Sequence, residues 1–217
     1  MLAAGDSLHL GGTTGSVPFR SDGYLTICCW AYPYSFASIH PIFSITFGNY
    51  YVSTHWSGSE GYLGGESYVG PWSFAGAPGL PPLAIANRWN HIASIMEPTG
   101  WTHAVNGTLG TKTTSTSWTC SGWDRFSVGS MWYAAGEPWY NTCTAMAGVS
   151  VFNEALSADK IKALAAGAPP DKVGNLVEHW PLIASRGPAV GTRRKLMLTG
   201  KAGPFTGPTD PRVVGYP

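Results

Sequence analysis

The segment from Trp89 to Thr111, WNHIASIMEPTGWTHAVNGTLGT, restricts the fold of this chain more than any other stretch. Two sets of side chains alternate along residues 89–96, and this period of two predicts a β-strand. Residues 97–100 (EPTG) form a four-residue turn signal, with proline at a position that such turns permit. Residues 101–105 predict the returning strand. Asn106-Gly107 then predicts a two-residue hairpin turn, because both residues accept the positive φ that it requires.

Two histidines of this hairpin, His91 and His103, invite a catalytic or metal-binding interpretation. The four-residue loop sets a register in which His91 lies opposite Asn106 and His103 lies opposite Ser94. Cross-strand partners share a face, so the two histidines point to opposite faces and cannot reach one metal or one substrate. Glu97 sits in the turn, away from both. A one-residue bulge would reverse this arrangement. We therefore expect core or half-buried histidines here.

Composition narrows the class of protein. The chain has 217 residues and a formal net charge of +1, so it can bury one sizeable core and presents no overall field for nucleic acid. Charged residues make up 12% of the chain, against the roughly 25% usual in soluble domains, and there are 28 glycines and 17 prolines. These values favour a turn-rich all-β protein. We expect neither a signal peptide nor a membrane span, since no apolar run approaches about 18 residues.

Further strands are predicted at 25–32, 41–47, 125–129 and 145–152, beside those at 88–96 and 101–105. Evenly spaced strands with Gly, Pro and Asn-Gly between them indicate a sandwich or jelly roll. One short helix is predicted over 158–166. Ser157 is a suitable N-cap, Asp159 lies in the first turn, and Gly167 followed by Pro169 marks the end.

The C-terminal residues differ from the rest in charge. Residues 186–217 hold six basic side chains and one acidic side chain, a net charge of +5, whereas residues 1–185 carry seven basic and eleven acidic groups, or −4. We therefore divide the chain into a body, 1–185, and a basic Pro/Gly-rich arm, 186–217. The arm is either a solvated end or a segment that docks on an acidic neighbour. Its candidate contacts are Arg186, Arg193, Arg194, Lys195 and Lys201.

The two ends of the chain also resemble each other in pattern. Residues 7–12 (SLHLGG) and 195–200 (KLMLTG) both alternate as strands do. Pairing of these terminal strands would close one edge of the sandwich.

Four cysteines are present, and their spacing bounds their chemistry. Cys28 and Cys29 are adjacent, so on a strand they point to opposite faces and do not bond to each other. Cys120 and Cys143 could meet across paired strands, or all four could be reduced and buried. No C-x-x-C pair exists, which argues against a structural zinc site.

The hairpin resembles the W-x-H-[IV]-A…V-N-G hairpin of laminin-G-like domains in the concanavalin A-like lectin/glucanase superfamily. Residues 24–33 (YLTICCWAYP) resemble that family's early strand. Residues 146–157 (MAGVSVFNEALS) resemble the strand before its short helix, and residues 6–12 fit its first strand. The resemblance covers roughly residues 5–167 in the right order. It implies a jelly-roll sandwich of two curved antiparallel sheets.

Departures from the family pattern bear on chemistry. Ala147-Gly148 stands where the family often has two carboxylates, which weakens any case for acid chemistry or calcium on that strand. The glucanase branch needs an E-x-D-x-x-E strand to flank the scissile bond with carboxylates, and no acidic residues here fit it. We predict no enzyme activity and no cofactor. Calcium stays open on the weak hints of Asp124 beside Asn141, or of Asp22.

Aromatic side chains concentrate in two stretches, 47–74 and 132–140, interleaved with Gly, Ser and Asn. Rings beside polar groups can contact sugars, and they are also common anchors of protein interfaces. Alternatively, many of these rings fill the core. The candidate contacts are Tyr50, Tyr51, Trp56, Tyr62, Tyr68, Trp72, Trp132, Tyr133, Trp139 and Tyr140. We expect binding through these residues and the arm rather than through the 89–111 hairpin.

Three functional hypotheses follow from these observations. The first is a non-enzymatic structural and interaction protein. Its C-terminal segment resembles those of phage virion proteins such as capsid decoration or tail proteins, which implies an oligomer or assembly on a virion surface and other protein subunits as partners. The alternative is a carbohydrate-binding, lectin-like adhesion module, extracellular or on a cell surface. A glucanase-type hydrolase is the least favoured. None of the three calls for nucleic acid or a membrane.

Overall fold

The computed structural model describes most of the chain. It covers residues 7–11, 17–36, 40–47, 50–57, 61–68, 73–75, 83–114, 122–132, 138–141, 144–182, 189–190, 192–193 and 197–201.

Strands dominate these residues. The first nine are β1 (Ser7–Gly11), β2 (Leu25–Pro33), β3 (His40–Phe47), β4 (Tyr50–Ser57), β5 (Tyr62–Tyr68), β6 (Ser73–Ala75), β7 (Asn90–Glu97), β8 (Gly100–Val105) and β9 (Thr108–Leu109). The others are β10 (Thr113–Thr114), β11 (Arg125–Val128), β12 (Ser130–Trp132), β13 (Pro138–Asn141), β14 (Thr144–Phe152), β15 (Leu176–Trp180), β16 (Ala189–Val190) and β17 (Met197–Lys201). The helix α1 spans Ala158–Ala165, and a 3-10 turn follows at Pro170–Lys172.

Two antiparallel sheets form a sandwich, as the sequence predicts. One sheet has the order β16-β17-β1-β11-β3-β4-β5-β6, and the other has the order β10-β8-β7-β2-β14-β15, with β9 paired to β8. A separate pair, β12 and β13, completes the strands that the structure describes. The predicted all-β jelly-roll class is confirmed.

The 89–111 hairpin has the register that its turn predicts. Met96 pairs with Trp101, and Ser94 pairs with His103. Asn106 and Gly107 have φ values of 51° and 80°, the left-handed conformations that a two-residue turn requires, and β9 follows directly.

Alternation then places the two histidines on opposite faces, which confirms the sequence prediction. His103 shares its face with Ser94, whose hydroxyl contacts both the His103 Nδ1 atom at 2.8 Å and the Thr54 hydroxyl at 2.8 Å. Because Thr54 lies on β4 of the other sheet, this polar chain crosses the interior of the sandwich. His91 lies on the outer face of the second sheet, beside Trp30.

Aromatic side chains fill the space between the sheets. The indoles of Trp56, Trp101 and Trp180 are each at most 1% exposed. Trp56 donates its Nε1 proton to the Thr144 hydroxyl at 2.8 Å, so its polar atom is satisfied inside the core. Trp180 stacks on Phe126 of the facing sheet, with ring centroids 5.7 Å apart.

The helix α1 lies on the outer face of the second sheet. Ser157 is its N-cap residue in an extended conformation, although its side chain makes no capping hydrogen bond. Ile161 and Leu164 are buried in a second apolar cluster with Phe152 and Cys28 of the sheet. The predicted helix over 158–166 is confirmed to within one residue.

The C-terminal segment contributes two strands to the first sheet. β17 pairs with β1, with Leu8 opposite Gly200, and β16 pairs with β17. The expected pairing of the terminal strands is therefore confirmed. Because backbone pairing places 189–190 and 197–201 inside the first sheet, this part of the predicted arm belongs to the sandwich.

Cys28 and Cys29 are free, buried and on opposite faces of β2, as predicted. Cys29 belongs to the main core, whereas Cys28 belongs to the cluster under α1. Cys120 and Cys143 lie outside the described residues, so the alternatives for that pair stay open.

We predict that the Gly65→Ala substitution destabilises the fold by about 1–3 kcal/mol, the usual cost of overpacking a core. A Cβ atom at Gly65 would lie 2.8 Å from Cζ2 of Trp101 and closer still to other atoms of that ring. Urea denaturation of wild type and variant measures this cost. As a control, the same substitution in a Trp101→Leu background should cost markedly less, since the obstructing ring is gone. Equal costs in both backgrounds would contradict this explanation.

Stability should also fall with pH below about 6.5, the pKa of an unperturbed histidine. Burial lowers the pKa of His55 and of His91 to about 4. Burial, with a smaller contribution from His55, lowers the pKa of His103 to about 3. The unfolded chain therefore takes up protons first on acidification. Each such histidine removes about 1.4 kcal/mol of stability per pH unit once the unfolded chain is protonated and the folded one is not.

Denaturation midpoints measured between about pH 7 and pH 5 test this linkage. In the His103→Gln variant the free energy of unfolding should depend less steeply on pH than in wild type, because unfolding takes up about one proton fewer. A midpoint that does not change with pH, or an unchanged slope in the variant, would contradict it.

Candidate functional site

A pocket of about 250 Å³ opens on the outer face of the second sheet, where α1 ends. Four neighbouring strands form its floor, and the segment that follows α1 forms its wall. The floor residues are Cys28 and Trp30 of β2, His91 of β7, Gly148 and Ser150 of β14, and His179 of β15. The wall residues are Leu164, Gly167, Ala168, Pro169 and Pro170.

An irregularity in β14 shapes the floor. The pairing of β14 with β2 shifts between Ala147 and Ser150, and Gly148 has a φ of 59°. A Cβ atom at Gly148 would stand 3.6 Å from Trp30 Cδ1 and 3.7 Å from His179 Cε1, between the two rings. The glycine thus permits the left-handed backbone of the bulge and leaves the space between the rings open.

Polar atoms converge on the same floor. The Ser150 hydroxyl and the His179 Nδ1 atom are 2.8 Å apart. His91 is 3% exposed, and its Nδ1 atom is buried with no hydrogen-bond partner among the described residues. Its ring meets the Trp30 ring edge to face at 5.4 Å. A buried polar atom without a partner is costly, which marks this imidazole as a group that a ligand could satisfy.

Backbone contacts fix His91 in place. The Asn106 amide nitrogen donates to the His91 carbonyl at 2.7 Å, and the His91 amide nitrogen donates to Oδ1 of Asn106 at 2.8 Å. The Asn106 side chain also contacts Asn90 at 3.2 Å. The Asn-Gly turn therefore holds the first residues of β7 as well as reversing the chain.

The pocket is uncharged. None of its lining residues, all within the described part of the chain, is Asp, Glu, Lys or Arg. Burial lowers the pKa of His91 to about 4, so its imidazole is neutral at pH 7. Burial also raises the pKa of Cys28 to about 12, which keeps it a thiol and a poor nucleophile. The neutral His91 imidazole and the Ser150 hydroxyl can hydrogen-bond to hydroxyl groups of a ligand, either as donor or as acceptor.

The outer face of the first sheet carries a second set of polar atoms. Ser53 Oγ, His55 Nδ1 and Ser127 Oγ are buried and have no hydrogen-bond partner in the described residues. Each of these residues is at most 5% exposed, and none of them lines the pocket. The pocket, by contrast, is open, and for this reason we take it as the candidate site.

Two of the aromatic candidates are buried. Trp56 is 0% exposed, with its ring against Phe36 in the core, so it belongs to the core rather than to a contact surface. Tyr51, on β4, is 1% exposed, so its ring is not accessible to a ligand or another protein. The other candidates lie outside the described residues or in strands whose side chains the structure does not describe: Tyr50, Tyr62, Tyr68, Trp72, Trp132, Tyr133, Trp139 and Tyr140.

Among the predicted arm contacts, Arg193 binds the body of its own chain. Its backbone nitrogen donates to Oε1 of the buried Glu178 at 2.6 Å, and its guanidinium donates to the Leu176 carbonyl. These contacts of Arg193 are therefore made within its own molecule. The remaining arm contacts are Arg186, Arg194 and Lys195, which lie outside the described residues, and Lys201, whose side chain is not described.

Two residues of the calcium hints have partners among the described residues. Asp124 accepts a hydrogen bond from the Thr46 hydroxyl at 2.9 Å, and Asp22 pairs with Arg20. Within the described part of the chain, no group of three or more His, Cys, Asp or Glu side chains could hold a metal ion. The helices described here are also too short to cross a bilayer.

Sequence reasoning missed the pocket. It assigned no role to Trp30, Ser150 or His179, and it expected binding away from the hairpin that contains His91. The available signal was the parity of β2, which puts Cys28 and Trp30 on the outer face. Gly148 was noted only as a missing carboxylate, whereas in the fold it opens the floor.

Solved structures with a similar fold span several kinds of protein. A putative carbohydrate binding protein from Bacteroides ovatus superimposes with a TM-score of 0.62 at 17% identity, over 93% of this chain and 58% of that one. The heptameric SAP-like pentraxin from Limulus polyphemus superimposes with a TM-score of 0.57 at 14% identity, over 92% of this chain and 93% of the pentraxin chain. A third structure is domain 4 of the extracellular arabinanase AbnA from Geobacillus stearothermophilus, in complex with arabinotriose. It superimposes with a TM-score of 0.52 at 14% identity, over 73% of this chain and 87% of that domain's chain.

At these identities the likeness establishes the fold alone. Comparison with curated proteins finds no match. A family model of the concanavalin A-like lectin/glucanases superfamily, of the laminin-G type, matches residues 7–162. The match covers most of the chain and includes the diagnostic hairpin, the preceding strands and the start of α1. The chain belongs to the concanavalin A-like lectin/glucanases superfamily.

Proposed function

We propose that this protein is a non-enzymatic, lectin-like module that binds a glycan in the pocket beside α1. The observation that carries the proposal is the open, uncharged floor on which the Trp30 ring lies beside His91, Ser150 and His179. This function, the alternative in the sequence analysis, now takes precedence over the structural role.

Sugars need this combination of groups. A sugar ring has an apolar face of C–H groups that packs on an aromatic ring, and hydroxyls around its rim that both donate and accept hydrogen bonds. Trp30 is half-buried and offers a ring, while the neutral His91 imidazole and the Ser150 hydroxyl offer hydrogen-bonding groups. The buried Nδ1 atom of His91 gains a partner when a hydroxyl enters. The volume of the pocket, about 250 Å³, suits one sugar unit better than a large ligand.

A catalytic role is less favoured on chemical grounds. Glycoside hydrolysis uses a pair of carboxylates, and the described residues that line this pocket include none. The Ser150–His179 contact resembles part of a nucleophilic dyad, but the lining supplies no carboxylate to orient the histidine. The thiol of Cys28 is held in its neutral form.

Several solved proteins of this fold are carbohydrate-binding by their descriptions, including the Bacteroides ovatus protein and the arabinanase domain with arabinotriose. Their low identity gives this proposal only general support. A place on a virion surface, and protein subunits as partners, stay predictions from the sequence. They are compatible with a surface lectin.

Blocking the pocket tests the proposal. Ala168 lines the wall, whereas Ala166 is exposed at the end of α1 and does not. We predict that the purified protein binds neutral glycans on an array. The Ala168→Phe variant should lose at least about tenfold in affinity, equivalent to about 1.4 kcal/mol, because the added ring fills the space for the sugar.

The Ala166→Phe variant is the matched control, with the same substitution two residues away. It should bind as wild type does, and the near-ultraviolet circular dichroism of both variants should match the wild-type spectrum. Undiminished binding by Ala168→Phe, or hydrolysis of an oligosaccharide by pure protein, would contradict the proposal.

A further inference from the structure

A row of aromatic rings leads away from the pocket along β2. Trp30 and Tyr32 lie on the outer face of this strand, and Tyr34 continues the same parity just beyond its end. Residues two apart on a strand are roughly 7 Å apart. The Tyr32 ring meets the Tyr34 ring edge to face at 5.4 Å and the Trp89 ring at 5.6 Å. We call Trp30, Tyr32 and Tyr34 the aromatic row.

Small residues on the neighbouring strand support this row. Ala147 pairs with Trp30, and Ala145 pairs with Tyr32. Both alanines are at most 2% exposed and form an apolar cluster with Trp89, against which Trp30 and Tyr32 pack. Because these neighbours are small, the rings rest on them without being enclosed.

Exposure increases along the aromatic row. Trp30 and Tyr32 are half-buried, and Tyr34 is 39% exposed. Partial burial, together with the nearby Tyr32, raises the pKa of Tyr34, so its hydroxyl stays a neutral donor and acceptor at ordinary pH. The row therefore combines partly exposed ring surface with polar tips.

The pocket and the aromatic row are continuous, because Trp30 belongs to both. We propose that they form one elongated surface for a linear, uncharged glycan chain, with one sugar unit in the pocket and the following units over Tyr32 and Tyr34. This inference rests on the proposed function. It adds the class of glycan, a chain rather than a terminal sugar, and the direction in which the chain lies.

The occupant follows from the chemistry of the surface. Rings that recur every second residue give a repeating ligand the same contact at each step. The lining of the pocket carries no formal charge, so it supplies no cation for a sialic acid, a uronic acid or a phosphate.

The chain offers a matched pair of variants. Tyr24 and Tyr34 flank β2 at its two ends, with exposures of 40% and 39%, and only Tyr34 belongs to the aromatic row. Titration calorimetry compares wild type, Tyr34→Ala and Tyr24→Ala. The ligands are the monosaccharides, trisaccharides and tetrasaccharides of neutral glucan, mannan, galactan and arabinan.

We expect the tetrasaccharide of the preferred series to bind wild type at least about tenfold more tightly than its monosaccharide. Tyr34→Ala should lose most of this gain and keep the monosaccharide affinity, while Tyr24→Ala should behave as wild type. Ala168→Phe should weaken both ligands.

Three results would overturn the inference and leave the proposed function intact: equal affinity for short and long ligands, equal effects of the two tyrosine variants, or tighter binding of an acidic oligosaccharide of the same length. Failure of every sugar to bind, or undiminished sugar binding by Ala168→Phe, would instead remove the proposed function itself. Capture of a protein segment at Tyr34 with no sugar bound would overturn both.

Discussion

The strict alternation of side chains along β2 is the constraint on which the rest of this structure depends. Its odd-numbered residues, including Leu25, Ile27 and Cys29, enter the core between the sheets. Its even-numbered residues point outward, where Cys28 packs under α1 and Trp30 lines the pocket. As a central strand between β7 and β14, β2 cannot slip by one residue without exchanging these two sets. Core and candidate site are thus fixed by the same register.

The outer face of the second sheet is covered by α1 over part of its length, and the uncovered part forms the pocket. The helix α1 packs Ile161 over Phe152 of the sheet and ends at Ala165, and the segment that follows it forms most of the pocket wall. Beyond it, the bulge at Gly148 leaves the floor open between Trp30 and His179. A sheet face that is covered over part of its length offers a rigid site with little reorganisation on binding, which favours affinity.

The described residues 189–190 and 197–201 of the C-terminal segment belong to the sandwich. β17 extends the first sheet beside β1, and Arg193 binds Glu178 and β15 in the second. The Arg193 contacts, a backbone nitrogen on the Glu178 carboxylate and a guanidinium on the Leu176 carbonyl, hold this part of the segment against β15.

By itself, the sequence determined the sandwich, the hairpin register and the helix, because each depends on local signals: alternation, the turn at residues 97–100, and the helix end marked by Gly167 and Pro169. The separation of His91 from His103 followed from the same local rule. Only the tertiary structure decided which polar residues meet. Ser150 and His179 approach because β14 pairs with β15, and Trp56 is core because β4 faces β14 across the sandwich. Such contacts join residues far apart in the chain, and a single sequence carries no signal for pairings that depend on how whole sheets stack.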